Sequence, residues 1–264
     1  MSEENHALRP GDSYVQSFAR GLEVIRSFSD RAPSQTLTEV ATATGMTRAG
    51  ARRILLTLQT LGYVKSDGKY FELTPRILDL GFAYLSSTPV WNLAQPVMDA
   101  LVERVHESCS IAVLDGQDVV YVMRLHTHKI MSTNLGIGSR LPACWTSLGR
   151  VLLAGLAPQP LAQVLAERTR EQFTRYTLQD DEALLHEIAL VRRQGWCLLN
   201  QELEEGLISI AAPLRNARGE TVAALNISGQ ANRTTPGIMR EQMLPHLLNA
   251  ASEVSRLVAM QPRR

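Results

Sequence analysis

Arg48, Arg52 and Arg53 fall in the first two turns of an apolar-striped helical stretch, TRAGARRILLTLQTLGYV, from Thr47 to Val64. Free amides give a helix start partial positive charge, so each cation there costs on the order of a few tenths of a kcal/mol. A polyanion would relieve that cost. Arginines for phosphates or guanine edges, with the small Ala49 and Gly50 where the backbone must approach base pairs, are what a helix in a DNA major groove requires. The competing reading is an ordinary amphipathic helix with solvated arginines.

A second segment, ACWTSLGRVLLAGL, places Thr146 or Ser147 as the N-cap of a helix whose free amides can hold a carboxylate. Trp145 supplies an apolar wall and Arg140 a counter-charge, which together suit a small organic acid. His126-Thr127-His128 puts two imidazoles on one strand face, an arrangement able to bind zinc, and a metal-responsive regulator is the alternative reading. No third ligand stands nearby, so no metal site is assigned.

Catalysis finds no support in the residues. Cys109, Cys144 and Cys197 carry no recognised nucleophile signature, and there is no Gly-x-Ser-x-Gly elbow, Walker loop or dinucleotide fingerprint. Glu202, Glu204 and Glu205 read as a solvated cluster. The chain is expected not to be an enzyme and to need no cofactor.

These residues must be positioned by elements legible from periodicity. Phe18, Leu22, Ile25 and Phe28 form one stripe of a first helix. Thr36-Leu37-Thr38-Glu39 has capping-box spacing before a short second helix. Gly45 permits a turn, Thr47 caps the third helix, and Ala51, Ile54, Leu55, Leu58 and Leu61 form its buried face, with Arg52 and Arg53 opposite. Then YVKSDGKYFEL reads as a hairpin around a type I′ turn at Asp67-Gly68, with Lys65 and Lys69 at its tip. This is the outline of a winged helix-turn-helix.

The expected boundaries are a disordered N-terminus over 1–12, a DNA-binding domain over 13–75, a linker helix over 76–90 and an effector-binding domain over 91–260. In the last, a helix from Trp91 to Glu107 leads to two strands across Asp115-Gly116. Helices follow at Ser147–Leu156 and Glu182–Gln194, then three strands and a closing helix, giving an α+β domain with an antiparallel-rich sheet.

The net charge of +1 argues for no polyanion by itself, but residues 14–76 hold nine Lys/Arg against five Asp/Glu, so a local +4 stands against −3 elsewhere. Three scattered cysteines fit reduced thiols. No apolar run approaches the roughly 18 residues of a membrane span, and a cytoplasmic protein without membrane contact is expected.

The blocks FARGLEVIRSF, LTEVATATGMTRAGARRILLTLQTLGYV, FELTPRILDLG, RLPACWTSLGRVLLAGL and QGWCLLNQELEEGLISIAAPL resemble the IclR family of transcription regulators. The likeness spans about Val15 to Met260 and is strongest to regulators of protocatechuate and p-hydroxybenzoate catabolism through the β-ketoadipate pathway. It implies a winged helix-turn-helix, a linker helix and a GAF-like effector domain. The implied partners are a double-stranded operator, a second copy or a dimer of dimers, RNA polymerase, and an effector such as protocatechuate, p-hydroxybenzoate or a β-ketoadipate-like acid. It also implies effector contacts from Ser147, Leu148, Ser209, Asn226 and Ser228, with apolar additions from Met131 and Leu135. Asn226 departs from the serine common in glyoxylate-responsive relatives.

Overall fold

The computed structural model describes residues 14–87, 90–126 and 135–260. The N-terminus expected to be disordered, His128 and Met131 lie outside them. The chain divides between Tyr84 and Leu85 into two compact units, each with its own core.

The first unit runs α1 (Gln16–Arg26), β1 (Ser34–Thr36), α2 (Leu37–Ala43), α3 (Arg48–Thr60), β2 (Val64–Ser66) and β3 (Tyr70–Leu73). The strands form an antiparallel sheet in the order β1-β3-β2. Sequence periodicity misses β1, because Thr36 has two roles: it pairs with Tyr70 at the end of β1 and caps α2. The capping box is complete, with the Thr36 amide donating to Glu39 Oε2 at 2.7 Å and the Glu39 amide donating to Thr36 Oγ1 at 3.4 Å. The Thr36 amide, and the Thr36 hydroxyl donating to the same oxygen, also hold the Glu39 carboxyl below its ordinary pKa. Thr36→Ala is expected to cost about 1 kcal/mol, read as a lowered denaturation midpoint of the full chain.

Gly45, at φ +64°, turns the chain between α2 and α3. Val24, Val40, Ala51, Leu55 and Leu58 are buried around the two helices. The apolar stripe expected on α1 is half realised: Ile25 and Phe28 pack against the core beside the buried Val24, whereas Phe18 and Leu22 are 67% and 41% exposed. Leu61, expected on the buried face of α3, is also exposed, since α3 ends at Thr60 and the chain turns away at Gly62. The wing turn is not type I′, which needs positive φ at both central residues. Only Gly68 is positive, at +100°, and the Asp67 carboxylate accepts the Lys69 and Tyr70 amides at 2.9 and 2.7 Å in an Asx turn. Helix α4 (Leu78–Ser87) follows and contains the division between the units.

The second unit begins with α5 (Val90–Val105), β4 (Ser108–Asp115), β5 (Asp118–Leu125), β6 (Arg140–Pro142) and α6 (Ser147–Ala154). It continues with α7 (Pro158–Glu167), α8 (Asp181–Gln194), β7 (Cys197–Asn200), β8 (Leu207–Arg215) and β9 (Thr221–Gln230). It closes with α9 (Pro236–Ile238), a π-helical turn (Met239–Met243) and α10 (Leu244–Ala259). The sheet order is β6-β5-β4-β9-β8-β7, with every described pairing antiparallel. Two-residue alternation sorts the strands: Cys109, Ile111, Ile210, Leu225 and Ile227 meet α5 and α10, while Ala112, Ala211 and Ala224 meet α6. The alanines keep this face low, which lets α6 approach the sheet closely. Helix α7, not anticipated from the sequence, tolerates Pro158 and Pro160 because a first helical turn needs few amide donors.

Candidate nucleic-acid interface and effector pocket

On α3 the Thr47 hydroxyl accepts the Gly50 amide at 3.1 Å, and Arg48, Ala49, Arg52 and Arg53 are exposed. Arg48 and Arg52 line one side of a groove of about 540 Å³, and Lys69 of the wing lines the other. Among the described residues none of the three arginines enters an ion pair, so their cationic heads are open to an external polyanion. Arg53 lies outside the groove. Lys65 is not at the wing tip: it sits within β2, opposite Glu72 of β3, and pairs with it at 2.7 Å. Lys69 is the tip cation and stacks over the Tyr70 ring at 5.0 Å. Gly50 has a local reason to be small as well, since an added Cβ would lie 3.2 Å from the capping Thr47 hydroxyl.

The effector-domain cavity is about 290 Å³, near the lower end of the roughly 300–1,000 Å³ typical of small-molecule sites. Its floor is the sheet. Ser110 on β4, Asn226 and Ser228 on β9, and Ser209 on β8 share one face, continuing the rows that hold Ala112, Ala224 and Ala211 further along. Asn226 is fixed: its Oδ1 accepts the Ser110 amide at 3.1 Å and its Nδ2 donates to Ser228 Oγ at 2.9 Å. One wall is the turn into α6, with Trp145, Thr146 and Ser147; the other is the segment from Gln201 to Glu204 after β7. Trp145 and Phe173 pack with ring centroids 5.5 Å apart.

The N-cap of α6 is Thr146, whose hydroxyl accepts the Gly149 amide at 3.0 Å. The first-turn amides of Ser147 and Leu148 have no acceptor within the helix. Ser147 Oγ is buried without a hydrogen-bond partner among the described residues, and so is Arg124 Nε on β5. Both residues line the cavity. Burial lowers the Arg124 pKa, and its guanidinium lies 5.6 Å from the Tyr121 ring.

Two expected site residues are misplaced. Arg140 is no counter-charge for this cavity. Pairing of β6 with β5 carries it to the β4–β5 turn, where it donates to Asp115 Oδ2 at 2.6 Å, to Asp118 Oδ2 at 3.0 Å and to the Asp115 carbonyl at 3.0 Å. Leu148 points into the core beneath α6 and is fully buried. Trp145, Thr146, Ser147, Ser209, Asn226, Ser228 and Leu135 do line the cavity. Sequence reasoning passed over Arg124 and Ser110, although a lone arginine in the apolar run VVYVMRL was a usable signal, because charged residues seldom sit in such runs without a task.

His126 is described, and burial lowers its pKa. Among the described residues no group of three or more His, Cys, Asp or Glu side chains could hold a metal ion. All three cysteines are buried, which pushes the Cys144 thiol up to about 11 and the Cys197 thiol up to about 12. Neither is a thiolate nucleophile near neutral pH. No helix among the described residues is long and apolar enough to cross a membrane.

A helix-turn-helix with a free basic face and a wing, followed by a mixed α/β domain enclosing a small cavity, is the architecture of a DNA-binding transcription regulator. The chain belongs to the IclR family of bacterial transcriptional regulators: the IclR helix-turn-helix domain matches residues 17–68 and the IclR C-terminal domain residues 82–256. The Pca regulon regulatory protein of Pseudomonas putida is 42% identical over 242 residues, covering 91% of this chain and 83% of its own length. The crystal structure of a transcriptional regulator from Rhodococcus sp. RHA1 is 47% identical with a TM-score of 0.83, covering 93% of this chain and 98% of that one. The PobR inducer-binding domain from Acinetobacter, a double mutant in complex with 3-hydroxybenzoic acid, is 35% identical with a TM-score of 0.60. It covers 64% of this chain and 98% of its own.

Proposed function

We propose that this regulator controls genes of aromatic-acid catabolism and that its effector is a hydroxylated aromatic monocarboxylate. The observation that carries the reading is a pair of polar atoms without partners among the described residues, Arg124 Nε and Ser147 Oγ, buried in residues that line one small cavity. A ligand carboxylate satisfies both, together with the first-turn amides of α6. Trp145, Phe173, Leu199 and Leu203 supply apolar surface for a ring. The floor of Ser110, Ser209, Asn226 and Ser228 is polar but uncharged, which suits a ring hydroxyl and leaves a second carboxylate without a cation. The complex of the PobR domain with 3-hydroxybenzoic acid supports the ligand class.

Calorimetric titration of the full chain tests it, with 3-hydroxybenzoate, p-hydroxybenzoate and protocatechuate in one arm and β-ketoadipate in the other. A hydroxybenzoate binding at least about tenfold more tightly than the dicarboxylate is the expected result. Preference for the dicarboxylate, or no binding of any ring acid, overturns it.

The same reading gives α3 the major groove and the wing the adjacent backbone of a double-stranded operator. Arg52→Ala and Arg53→Ala should each weaken binding to a duplex selected from a random pool. Each lost phosphate contact should also flatten the plot of log K against log salt by about 0.9, measured by fluorescence anisotropy. An unchanged slope in both variants removes these arginines from the interface. Exposed Val15 at the start of α1 and Phe18 and Leu22 on it, with Leu78 and Phe82 on α4, support association with a second copy, whose paired helices would read a palindrome. Effector must favour one arrangement of that pair over another to act at all, and α4, joining the two units in sequence, is the carrier of the bias. In this reading the chain works in the cytoplasm and catalyses nothing.

A further inference from the structure

Arg150 lies on α6, one turn beyond Ser147, and its side chain is only 1% exposed. A buried guanidinium is an odd stability device, since replacing a buried ion pair by apolar side chains of similar volume is often neutral or favourable. Its contacts suggest another task. Nε donates to the Cys144 carbonyl at 2.9 Å, in the turn that carries Trp145, Thr146 and Ser147. Nη1 and Nη2 donate to the two carboxylate oxygens of Glu202, at 3.1 and 2.5 Å, on the opposite wall of the cavity. One planar group therefore spans from wall to wall.

The circuit closes through a third segment. Glu202 Oε2 also accepts the Leu178 amide at 3.4 Å, and the Leu178 carbonyl accepts Trp145 Nε1–H at 3.1 Å. Thr174 donates to the Gln201 carbonyl at 2.6 Å and Thr177 to the Glu202 carbonyl at 2.7 Å. Gln201 itself is held at φ +65°, a left-handed conformation that costs a non-glycine residue energy and persists only where neighbours enforce it. The wall after β7 is thus a strained segment tied down at several points, with Arg150 the tie that reaches across to α6.

We infer that Arg150 and Glu202 are positioning residues for effector binding: their ion pair sets the separation of the two cavity walls without itself being the ligand's counter-charge. The inference rests on the effector reading of the cavity. Removing the pair leaves a fold that can repack, but one whose walls drift, and a displacement of about 1 Å is enough to cost a bound ligand much of its affinity.

Full-length Arg150→Met and the double variant Arg150→Met/Glu202→Leu test it through thermal midpoint, hydrogen exchange of peptides covering 173–178 and 201–206, and calorimetry with 3-hydroxybenzoate. The single variant strands a half-buried carboxylate and is expected to lose stability and affinity together. The double variant is expected to regain most of the midpoint, yet exchange about tenfold faster in those two peptides and bind 3-hydroxybenzoate about tenfold more weakly than the parent. Wild-type exchange and affinity in the recovered double variant overturn the inference, because the pair is then only structural. If the double variant does not fold, Glu202→Gln, which keeps an acceptor oxygen for Arg150, decides by the same two readouts. Failure of the parent chain to bind 3-hydroxybenzoate counts against the ligand reading, while the exchange rates still decide the clamp.

Discussion

Gly149→Ala is expected to destabilise the effector domain by roughly 3 kcal/mol, at the upper end of ordinary overpacking penalties. A Cβ built on Gly149 would lie 2.0 Å from the Ala143 carbonyl oxygen and 2.3 Å from the Ala143 Cα. Both obstacles are backbone, so no rotamer change relieves the clash. The turn carrying Trp145 and Thr146 would have to lift off the first turn of α6, opening the cavity as it moves. In a domain of this size the loss corresponds to about 6–12 °C in the thermal midpoint, read by calorimetry on the full chain. Gly21→Ala in α1 is the control. Nothing lies within 4 Å of its added Cβ, and alanine in an unobstructed helix interior should gain about 0.5–1 kcal/mol. Equal midpoints for Gly149→Ala and the parent would show that the close approach of turn and helix is not what requires glycine.

Arg124→Met should weaken binding of a hydroxybenzoate by about 30-fold or more, because removing one partner of a desolvated charge pair costs about 2–5 kcal/mol. Arg140→Met should change it by less than about twofold. Arg140 is spent on Asp115 and Asp118 at the exposed end of the β4–β5 hairpin, and such surface pairs contribute about 0–1 kcal/mol. The two variants place the counter-charge on different strands, and isothermal titration separates them. A large loss with Arg140→Met and none with Arg124→Met would return the role to the residue that the sequence first suggested. Arg124→Lys adds resolution. It keeps the charge but cannot reproduce a planar fork on a carboxylate, so an intermediate affinity is expected.

The error over Arg140 shows where reading along the chain stops working. Arg140 stands six residues before Thr146, and proximity in sequence made it the natural counter-charge. Its position is set instead by β6 pairing with the start of β5, Val120 against Arg140, which carries it beside two aspartates. Arg124, near the far end of β5, reaches the cavity only because β5 is paired to β4, and the register between those strands shifts between Ile111 and Ala112. Counting alternate residues from the hairpin turn does not survive such a bulge. Leu148 fails differently: on a helix the residue after the one facing the cavity is rotated by about 100°, and here that rotation aims it into the core.

The caps at Thr36 and Thr47, a cap at Thr146 or Ser147, the turn at Gly45, the solvent-facing Arg52 and Arg53 and the Lys69 cation at the wing tip were legible in the sequence. Each depends on groups within about four residues of one another, where chain geometry leaves few alternatives. The cavity was not legible in this way. Ser110 and Asn226, 116 residues apart, bond across the floor, and Arg150 and Glu202, 52 apart, join the walls. Strand order, register and helix rotation decide which of many candidate polar residues meet, and those are properties of the packed domain rather than of any local stretch.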